Sequence, residues 1–289
     1  MLTAESAVAS KVRSTALRSA SEGFSGAGSL TMLGPYPRST RGTLPPYARA
    51  LPHHLRPSTA YAADALLPGD PGRALALAQQ LLTEPLMSNH ARGLWGYTGE
   101  THAGRPLSIQ STGMGGPSTA IVLRELAELG VRRAIRVGTC GALAPELAHG
   151  DLVVVSGALV EDGTSRRLGA GALAEPDGEL TAALAGALTY GGEPSRVVTT
   201  DLFYDGDGGD GAPGGGLISA WRERGAVAVE MEAATLFTLG RSLGVATACV
   251  LAVSDVFVDG ERRRIEDEDL AVAAERLGAV AAAALEAQA

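Results

Sequence analysis

The sequence predicts one α/β/α domain, in which helices pack on both faces of a single central sheet. Its 289 residues contain at least seven short apolar runs that alternate with four or five patterns of helical spacing, as in chains whose strands and helices follow one another. The stretch Gln110–Leu143 shows this unit most clearly, with a strand, a helix and a second strand. The run Ala246–Ser254 is apolar throughout, which is typical of strands that a parallel sheet buries on both faces. This alternation favours one domain over two.

Residues 1–50 differ from the rest of the chain and are left out of the predicted fold. They carry six Lys or Arg against two Glu, are rich in Ser, Gly and Pro, and show no sustained period. A disordered extension or an over-long start is the favoured interpretation, and a transit-type leader is the alternative. The folded domain is therefore expected to span residues 51–289.

The first ordered segment combines a short strand with a helix whose first turn carries an arginine. Ala65–Leu67 is predicted to be a buried strand, and Gly69 its turn. Asp70 is expected to be the N-cap of a helix over Pro71–Leu82. Arg73 opposes the dipole of this helix unless an anion binds there, in which case backbone N–H groups and the guanidinium act together. A solvated surface arginine is the alternative.

A glycine-rich turn and a second helix lie within Gln110–Leu143. The turn Gly113–Gly116 precedes Pro117, which suits a first helical position because its missing N–H would have no partner there. Apolar residues then recur at helical spacing up to Gly130, which is placed to end the helix. The sequence therefore predicts a helix that begins at Pro117.

A buried arginine follows this helix. Arg136 lies in the apolar run Ala134–Val137, which is predicted to be a strand that ends in a second glycine turn, Gly138–Gly141. An unpaired buried guanidinium is strongly destabilising. An anion is therefore expected to meet Arg136.

Carboxylates stand at the ends of two later strands. Glu230 and Glu232 fall where the strand Val227–Met231 leads directly into the helix Glu232–Leu243, and Asp255 follows the long apolar run. Because ligands of α/β sheets bind at the carboxyl ends of strands, these residues are site candidates. Capping of the helix is the alternative for Glu232, and an N-cap or turn role is the alternative for Asp255.

The remaining elements complete the alternation. Gly206–Gly216 contains seven glycines and is predicted to be a mobile loop without a stable helix, either a lid or a passive linker. The other predicted strands are Gly93–Thr98, Asp151–Val160 and Arg196–Thr199, and the other predicted helices are Glu179–Leu188 and Leu270–Leu285.

Composition and residue spacing exclude several classes of protein. A net charge of -8 and a pI near 5.2 argue against a nucleic-acid partner, and no apolar run reaches membrane-spanning length. Cys140 and Cys249 cannot form a disulfide framework, which favours a reducing cytoplasm. The five histidines are not at metal-ligand spacing, so no metal site is expected. No nucleotide-binding loop or serine-nucleophile motif occurs.

Seven motifs in order give the sequence a specific resemblance. They are LLPGDPGR (Leu66–Arg73), RGLWGYTG (Arg92–Gly99), STGMGGPS (Ser111–Ser118), RVGTCGAL (Arg136–Leu143), TDLFY (Thr200–Tyr204), VEMEAATLF (Val229–Phe237) and AVSD (Ala252–Asp255). From about His54 onwards the chain resembles the nucleoside phosphorylase family, which includes hexameric bacterial purine nucleoside phosphorylases and uridine phosphorylases. The resemblance implies a single three-layer α/β/α domain with a mixed, partly barrel-like central sheet. It also implies dimers that assemble into a hexamer.

The resemblance implies roles for individual residues and no cofactor or metal. Inorganic phosphate, the co-substrate, is assigned to Gly69, Arg73, Arg92, Arg136 and Thr139. The nucleoside is assigned to Glu232 at the ribose hydroxyls, Met231 against the sugar, Glu230 close by, and Phe203 against the base. His54 is assigned to the 5′-hydroxyl of the nucleoside in the neighbouring subunit's site, with His53 one residue away. Asp255 matches the aspartate that donates a proton to the purine in purine-specific members.

The expected reaction is phosphorolysis of purine (2′-deoxy)ribonucleosides to the free base and (deoxy)ribose 1-phosphate, as in nucleoside salvage. The arginines would hold phosphate as the nucleophile against a sugar that becomes cationic. A protonated Asp255 would neutralise the leaving purine. Arg136→Ala is expected to lose most phosphate-dependent activity while remaining folded.

Three alternatives stay open. Uridine phosphorylases carry a glutamine and an arginine after TDLFY, and the stretch Asp205–Gly216 has neither. A hydrolytic nucleosidase of this fold would lack the phosphate arginines, and a non-catalytic nucleoside-binding protein would have lost Asp255, Glu232 or an arginine. The choice between 6-oxo and 6-amino purines, and between ribose and 2′-deoxyribose, is not decided. Purine members also supply an arginine downstream of the aspartate, for which the candidates are Arg262, Arg263 and Arg264.

Overall fold

A computed structural model describes residues 52–188, 193–203, 215–258 and 261–288. Residues 1–50 and most of the predicted loop Gly206–Gly216 lie outside these described residues. The strands are β1 (Asp64–Leu67), β2 (Leu82–Asn89), β3 (Gly96–Thr101), β4 (Pro106–Gln110), β5 (Arg133–Ala142), β6 (Leu152–Val160), β7 (Leu173–Ala174), β8 (Ser195–Thr199), β9 (Ala226–Glu230), β10 (Ala246–Val258) and β11 (Glu261–Arg264). The helices are α1 (Pro71–Leu81), α2 (Gly115–Glu128), α3 (Gly163–Arg167), α4 (Gly178–Ala187), α5 (Gly215–Glu223), α6 (Ala233–Leu243) and α7 (Asp267–Ala287).

Five of these strands close into a small barrel. The parallel pairings are β5–β10, β6–β8 and β8–β9, and the antiparallel pairings are β6–β10 and β5–β9. β1 pairs with the first half of β5, and β4, β3 and β2 extend the sheet beyond β1. β11 and β7 pair with β10 and β6. The prediction of a mixed, partly barrel-like sheet is therefore confirmed.

Helices pack on both faces of the sheet and enclose two hydrophobic cores. On one face α2, α3 and α6 contact one another, and on the other face α1 and α4 pack against α7. Ala65 and Leu67 of β1 belong to the first core, whereas Leu66 belongs to the second. This division follows from strand geometry, because successive side chains point to opposite faces of a sheet. The predicted three-layer α/β/α arrangement is confirmed.

The starts of α1 and α2 place glycine turns beside each other. Asp70 is the N-cap of α1, as predicted, and its carboxylate accepts a hydrogen bond from Arg73 N at 2.7 Å. α2 begins at Gly115, two residues before the predicted Pro117. Gly113 N donates to Gly69 O at 3.0 Å, so the loops that follow β1 and β4 run side by side.

The predicted turn at Gly138–Gly141 is wrong, because β5 continues to Ala142. These glycines allow a close approach within the strand. A Cβ at Gly138 would come within 2.6 Å of Arg136 Cζ, and one at Gly141 within 3.3 Å of Val229 Cγ1. Glycine in a strand often marks such an approach, although it looks like a turn in the sequence.

β2 was not predicted, because its sequence does not alternate. It is an edge strand that pairs only with β3 among the described strands, contains Pro85, and exposes Leu86 and Met87. Proline is tolerated at sheet edges, where one side of the backbone needs no partner. An edge strand therefore lacks the pattern that identifies a buried one.

Two boundaries also differ from the prediction. The strand expected at Gly93–Thr98 is shifted to Gly96–Thr101, after a 3-10 turn at Ala91–Gly93. α5 begins at Gly215 and so includes the last two residues of the stretch predicted to contain no helix. Trp221 is buried and anchors this helix in a small core beside β8 and β9.

Candidate active site

Arg136 lies inside the sheet, where two internal carboxylates neutralise it. β5 places it between Leu67 of β1 and Cys249 of β10, and it is 5% exposed. Its Nε donates to Glu230 Oε2 at 3.1 Å, and its Nη2 lies 2.5 Å from Glu232 Oε2. The anion expected at Arg136 is therefore supplied in part by the chain itself. We call Arg136, Glu230 and Glu232 the arginine–carboxylate cluster.

Burial has opposite consequences for the charged groups of this cluster. By itself burial lowers the pKa of Arg136, but Glu232 and Glu230 more than offset this, so the pKa is raised and the guanidinium stays charged. Burial raises the pKa of Glu230, with Glu232 adding to the effect and Arg136 opposing it. The cluster is thus a desolvated and closely coupled set of charges.

Glu230 caps the helix that follows it. Its carboxylate accepts hydrogen bonds from Glu232 N and Ala233 N, each at 2.9 Å, and from Thr199 Oγ1 at 2.5 Å. These are the free N–H groups that the start of α6 presents. The capping role considered for Glu232 therefore belongs to Glu230.

Glu232 has a different set of partners. It makes no side-chain cap bond at α6. One carboxylate oxygen accepts a hydrogen bond from Gly115 N at 2.5 Å, and the other lies against Arg136. The glycine-rich turn before α2 and the end of β9 therefore meet at this carboxylate.

Arg73 lies beside the cluster, and its guanidinium charge is not paired with a described carboxylate. Its guanidinium makes no hydrogen bond or ion pair with any residue that the structure describes. Burial lowers its pKa, as do Arg136 and Arg264, while Asp70 and Glu232 oppose this shift. Arg136 and Arg264 are thus both close enough to affect Arg73.

Gly69 and Thr139 line the same region with backbone and hydroxyl groups. A Cβ at Gly69 would come within 3.2 Å of Gly113 O. Thr139 lies in β5 and is half-buried, and its hydroxyl has no hydrogen-bond partner among the described side chains and backbone groups. Gly69 comes two residues after Leu67, the β1 partner of Arg136, and Thr139 comes three residues after Arg136 on β5, so both lie near Arg136 along the sheet.

The structure does not bring Arg92 to this region. Arg92 is exposed, has a left-handed backbone with φ 60°, and makes no hydrogen bond or ion pair with the described residues. A non-glycine residue held at positive φ in a short turn is strained and is often functional.

Asp255, Arg262 and Phe203 form a second group. Asp255 is buried at the end of β10, where its Oδ1 accepts from Arg262 Nε at 3.0 Å and its Oδ2 accepts from Ser254 Oγ at 2.6 Å. The Arg262 guanidinium also lies 4.0 Å from the centre of the Phe203 ring, which is 47% exposed. Of the three arginine candidates in β11, Arg262 is the one whose side chain binds Asp255.

The two groups converge around Cys140. Burial raises the pKa of this thiol, and the charges of Glu230, Arg136 and Asp255 all affect it. Burial also raises the pKa of Cys249, so both thiols stay protonated and unreactive. On β5, Cys140 lies between Arg136 and Gly141, the partner of Asp255, and so stands between the two groups.

Met231 and His54 occupy different positions. Met231 is half-buried between Glu230 and Glu232. His54 Nδ1 lies 2.8 Å from an oxygen of Glu125 in α2. Because Gly115 and Glu125 are ten residues apart on one helix, they are separated by about 15 Å. The structure therefore places His54 away from the cluster of its own chain.

Sequence reasoning missed Glu125 and Ser254, and left Arg262 undecided. Glu125 lies three residues after Val122 and one before Leu126, on the buried face of α2. A carboxylate on an apolar helix face is a signal that could have identified it. Ser254 offers no such signal, because a serine at a strand end is ordinary.

The described residues contain no group of three or more His, Cys, Asp or Glu side chains arranged to hold a metal ion. None of the helices among them is long and apolar enough to cross a membrane.

Comparison with known proteins identifies the family. A family model described as the phosphorylase superfamily matches residues 64–286, and the chain belongs to that superfamily. The purine nucleoside phosphorylase DeoD-type of Clostridium novyi is 36% identical over 215 residues, which cover 72% of this chain and 88% of that protein. The purine nucleoside phosphorylase DeoD-type of Caldanaerobacter subterraneus is 38% identical over 208 residues, which cover 70% and 86%.

A solved structure agrees with this assignment. The crystal structure of uridine phosphorylase from Vibrio fischeri matches with a TM-score of 0.67 at 25% identity, covering 79% of this chain and 93% of that one. The predicted resemblance to nucleoside phosphorylases and the predicted fold are confirmed.

Proposed function

We propose that the chain is a purine nucleoside phosphorylase, which converts a purine (2′-deoxy)ribonucleoside and phosphate to the free base and (deoxy)ribose 1-phosphate in nucleoside salvage. The observation that carries the proposal is the order of groups along β5. The Arg136 guanidinium lies over Gly138, and Asp255 pairs with Gly141. Three strand residues span about 10 Å. A ribose with phosphate on one face and a purine on the other fits that interval.

The phosphate is proposed to bind at Arg73, Arg136, Thr139 and the loop at Gly69. Arg136 already faces two carboxylates, so a large share of the attraction for phosphate comes from Arg73, whose guanidinium has no partner among the described residues. The start of α1 adds the free N–H groups of a helix N-terminus. Phosphate is the co-substrate, and no cofactor is proposed.

The ribose is proposed to lie against Glu232 and Met231, between the phosphate and the base. Glu232 is held on both oxygens, by Gly115 N and by Arg136. A carboxylate fixed in this way can accept hydrogen bonds from sugar hydroxyls without first losing conformational entropy. Glu230 supports this arrangement by capping α6 and binding Arg136.

The base is proposed to stack on Phe203 and to take a proton from Asp255. A phosphate oxygen forms a bond to C1′ of the ribose while the glycosidic bond breaks. The electron pair of the glycosidic bond leaves with the purine. The proton of the Asp255 carboxyl moves to the purine as this bond breaks. The carboxylate that remains is stabilised by hydrogen bonds from Arg262 and Ser254.

His54 and Arg92 are proposed to act in the site of a neighbouring copy within a dimer or hexamer. Glu125, which binds His54, and Gly115, which binds Glu232 of the cluster, are about 15 Å apart along α2. Arg92 is exposed and isolated from the described charges. A cytoplasmic location is also proposed, and it is supported by the two free, buried cysteines.

Base release from inosine, adenosine and uridine, each with and without inorganic phosphate, tests the reaction. Phosphate-dependent release of purine bases is the expected result. Release without phosphate would indicate a hydrolytic nucleosidase, and uridine cleavage would indicate that the base site accepts pyrimidines. Absence of cleavage with every nucleoside would leave only nucleoside binding, and would overturn the proposal.

A further inference from the structure

Glu125 is a buried carboxylate that the proposed chemistry does not use. It lies in α2 and holds the chain at residues 53–55 through three consecutive backbone N–H groups. Oε1 accepts from His53 N and His54 N at 3.1 Å, and Oε2 accepts from His54 N at 3.1 Å and Leu55 N at 2.7 Å. The His54 ring adds Nδ1 at 2.8 Å from Oε1. We call these contacts the Glu125 clamp.

The clamp determines which nitrogen of His54 carries the proton. Burial raises the pKa of Glu125, but the hydrogen bonds from Leu55 N, the His54 ring, and His54 and His53 N lower it by a larger amount. The net pKa is therefore lowered, and the carboxyl group is ionised at neutral pH. An ionised carboxylate can only accept hydrogen bonds. Nδ1 must therefore donate, and Nε2 of the neutral ring is left as an acceptor.

The clamp also determines where Nε2 points. The His54 side chain is 33% exposed, whereas the Glu125 side chain is 9% exposed. With Nδ1 held by the buried carboxylate, the edge of the ring that carries Nε2 is turned away from Glu125. The ring of His53 makes no hydrogen bond or ion pair with Glu125, which binds only the backbone N–H of that residue. The chain therefore presents His54, and not His53, in a fixed orientation.

A second buried residue links this segment to the Arg92 turn. Asn89 Oδ1 accepts from Arg56 N at 2.9 Å, and its Nδ2 donates to Ala91 O at 3.3 Å and Leu94 O at 2.5 Å. His54 and Arg92 are thus carried on one internally bonded frame. Groups that act in another subunit's site need such support, because that site does not position them itself.

We propose that Glu125 is a positioning residue for substrate recognition, which holds His54 so that Nε2 accepts a hydrogen bond from the nucleoside 5′-hydroxyl in the neighbouring site. This inference rests on the proposed function. It implies selection for a nucleoside with a hydrogen-bond donor at the 5′ position. A 5′-deoxynucleoside has no such donor and leaves Nε2 without its partner.

Kinetics with inosine and 5′-deoxyinosine test the inference. The wild type is expected to favour inosine by about tenfold in kcat/KM, as for one hydrogen bond. Glu125→Gln places an amide N–H₂ against four N–H donors and breaks the clamp, so the preference should fall to that of His54→Ala. The kcat/KM for 5′-deoxyinosine and the KM for phosphate should stay within about twofold of wild type, since neither depends on this bond.

Glu128→Gln is the matched control, because Glu128 is exposed on the same helix. It should retain the full preference for inosine. A purely structural role for Glu125 would lower kcat/KM equally for both nucleosides, and that result would overturn the inference. So would a Glu125→Gln enzyme that keeps the wild-type preference.

Failure of the proposed function would look different. A wild-type enzyme that cleaves inosine only with phosphate but shows no preference over 5′-deoxyinosine would refute this inference and leave the phosphorylase proposal intact. An enzyme that cleaves neither nucleoside with phosphate would refute both proposals.

The state of the His54 ring can be measured without any variant at Glu125. Magic-angle-spinning ¹⁵N NMR of histidine-labelled protein, with His54→Asn to assign the signal, should show neutral His54 protonated at Nδ1 and unprotonated at Nε2. A neutral ring protonated at Nε2 would overturn the inference even if Glu125→Gln failed to fold.

Discussion

Glu230 at the end of β9 and Glu125 in α2 are both buried carboxylates that accept hydrogen bonds from backbone N–H groups, yet their pKa values move in opposite directions. Burial raises the pKa of Glu230, and the like charge of Glu232 adds to this. Glu125 has no comparable acidic neighbour in its clamp, and its hydrogen bonds outweigh burial to lower the pKa. Backbone N–H donors therefore leave the pKa of a buried carboxylate lowered when it stands alone, but raised when a second carboxylate is close.

Asp255 differs from both carboxylates. Its hydrogen-bond donors are the side chains of Arg262 and Ser254, with no backbone N–H among the contacts that the structure describes. Side-chain donors can rearrange when a substrate binds more readily than the backbone N–H groups that bind Glu230 and Glu125. The comparison therefore separates two carboxylates that hold backbone segments in place from one whose contacts are all with side chains.

Removal of Arg136 should have the largest effect. Arg136→Ala leaves Glu230 and Glu232 without their cation, so the free energy of unfolding should fall by roughly 3–5 kcal/mol. The sequence alone suggested that this variant would stay folded, and the ion pairs add a stability loss to that expectation. Activity with phosphate should fall on the order of 10³-fold in kcat/KM.

Arg133→Ala is the control for this experiment, because Arg133 lies on the same strand and its ion pair with Asp64 is partly exposed. It should cost about 1 kcal/mol or less. Chemical denaturation and initial-rate kinetics provide both values. An Arg136→Ala enzyme with wild-type activity would contradict the assignment of phosphate to this region.

Asp255→Asn tests whether this carboxylate donates a proton. It should lower kcat for inosine at least about 10²-fold, the usual value of general-acid catalysis. With 7-methylinosine, whose purine is already cationic, kcat should change far less, because the leaving group needs no proton. Equal losses with both substrates would contradict the proton-donor role.

Phe203→Ala should have a moderate effect on nucleoside binding. Stacking on a half-exposed ring contributes about 1 kcal/mol, so KM for inosine should rise about fivefold while KM for phosphate is unchanged. The exposed neighbour Leu202 provides the control variant Leu202→Ala. A rise in KM for phosphate alone would place Phe203 at the wrong end of the site.

The pH dependence of stability should separate Glu230 from Glu125 by a small effect of opposite sign. A lowered folded pKa contributes stability that is present above the ordinary glutamate value of about 4.3 and is lost as pH falls below it. The gap between wild type and Glu125→Gln should therefore shrink in acid. A raised folded pKa contributes stability that is present below that value and is lost as pH rises, so the gap for Glu230→Gln should shrink from acid towards neutral pH.

Urea denaturation from pH 3 to pH 7 at constant protein concentration measures both gaps. Glu128→Gln is the reference for an exposed carboxylate on a helix. If the difference in free energy of unfolding from wild type changes with pH in the same direction for both variants, the pKa values of Glu230 and Glu125 do not shift in opposite directions.

Local features of the fold were predictable from neighbouring residues. Asp70 and Pro71 identify the start of α1, because capping and proline preference act within a single turn. The apolar run at residues 246–254 identifies β10. The edge strand β2 was not predictable, since one exposed edge removes the periodic pattern on which the prediction depends.

The candidate site was predictable only in part. Arg136 was identified as a cation inside an apolar run, Glu232 and Asp255 as carboxylates at strand ends, and the motif order assigned their roles. Which arginine of β11 meets Asp255 was not predictable, because all three occur in one run and the choice depends on how that strand pairs.

The sequence by itself determined the alternation of strands and helices, the start of α1, the family, and the presence of a buried cation in need of an anion. These properties depend on residues that are close together along the chain. Only the tertiary structure decided which groups meet: Glu232 with Gly115, 117 residues apart, and Glu125 with His54, 71 residues apart. Such contacts form only when the chain folds, and burial and hydrogen bonding together then set the pKa values of Glu230 and Glu125.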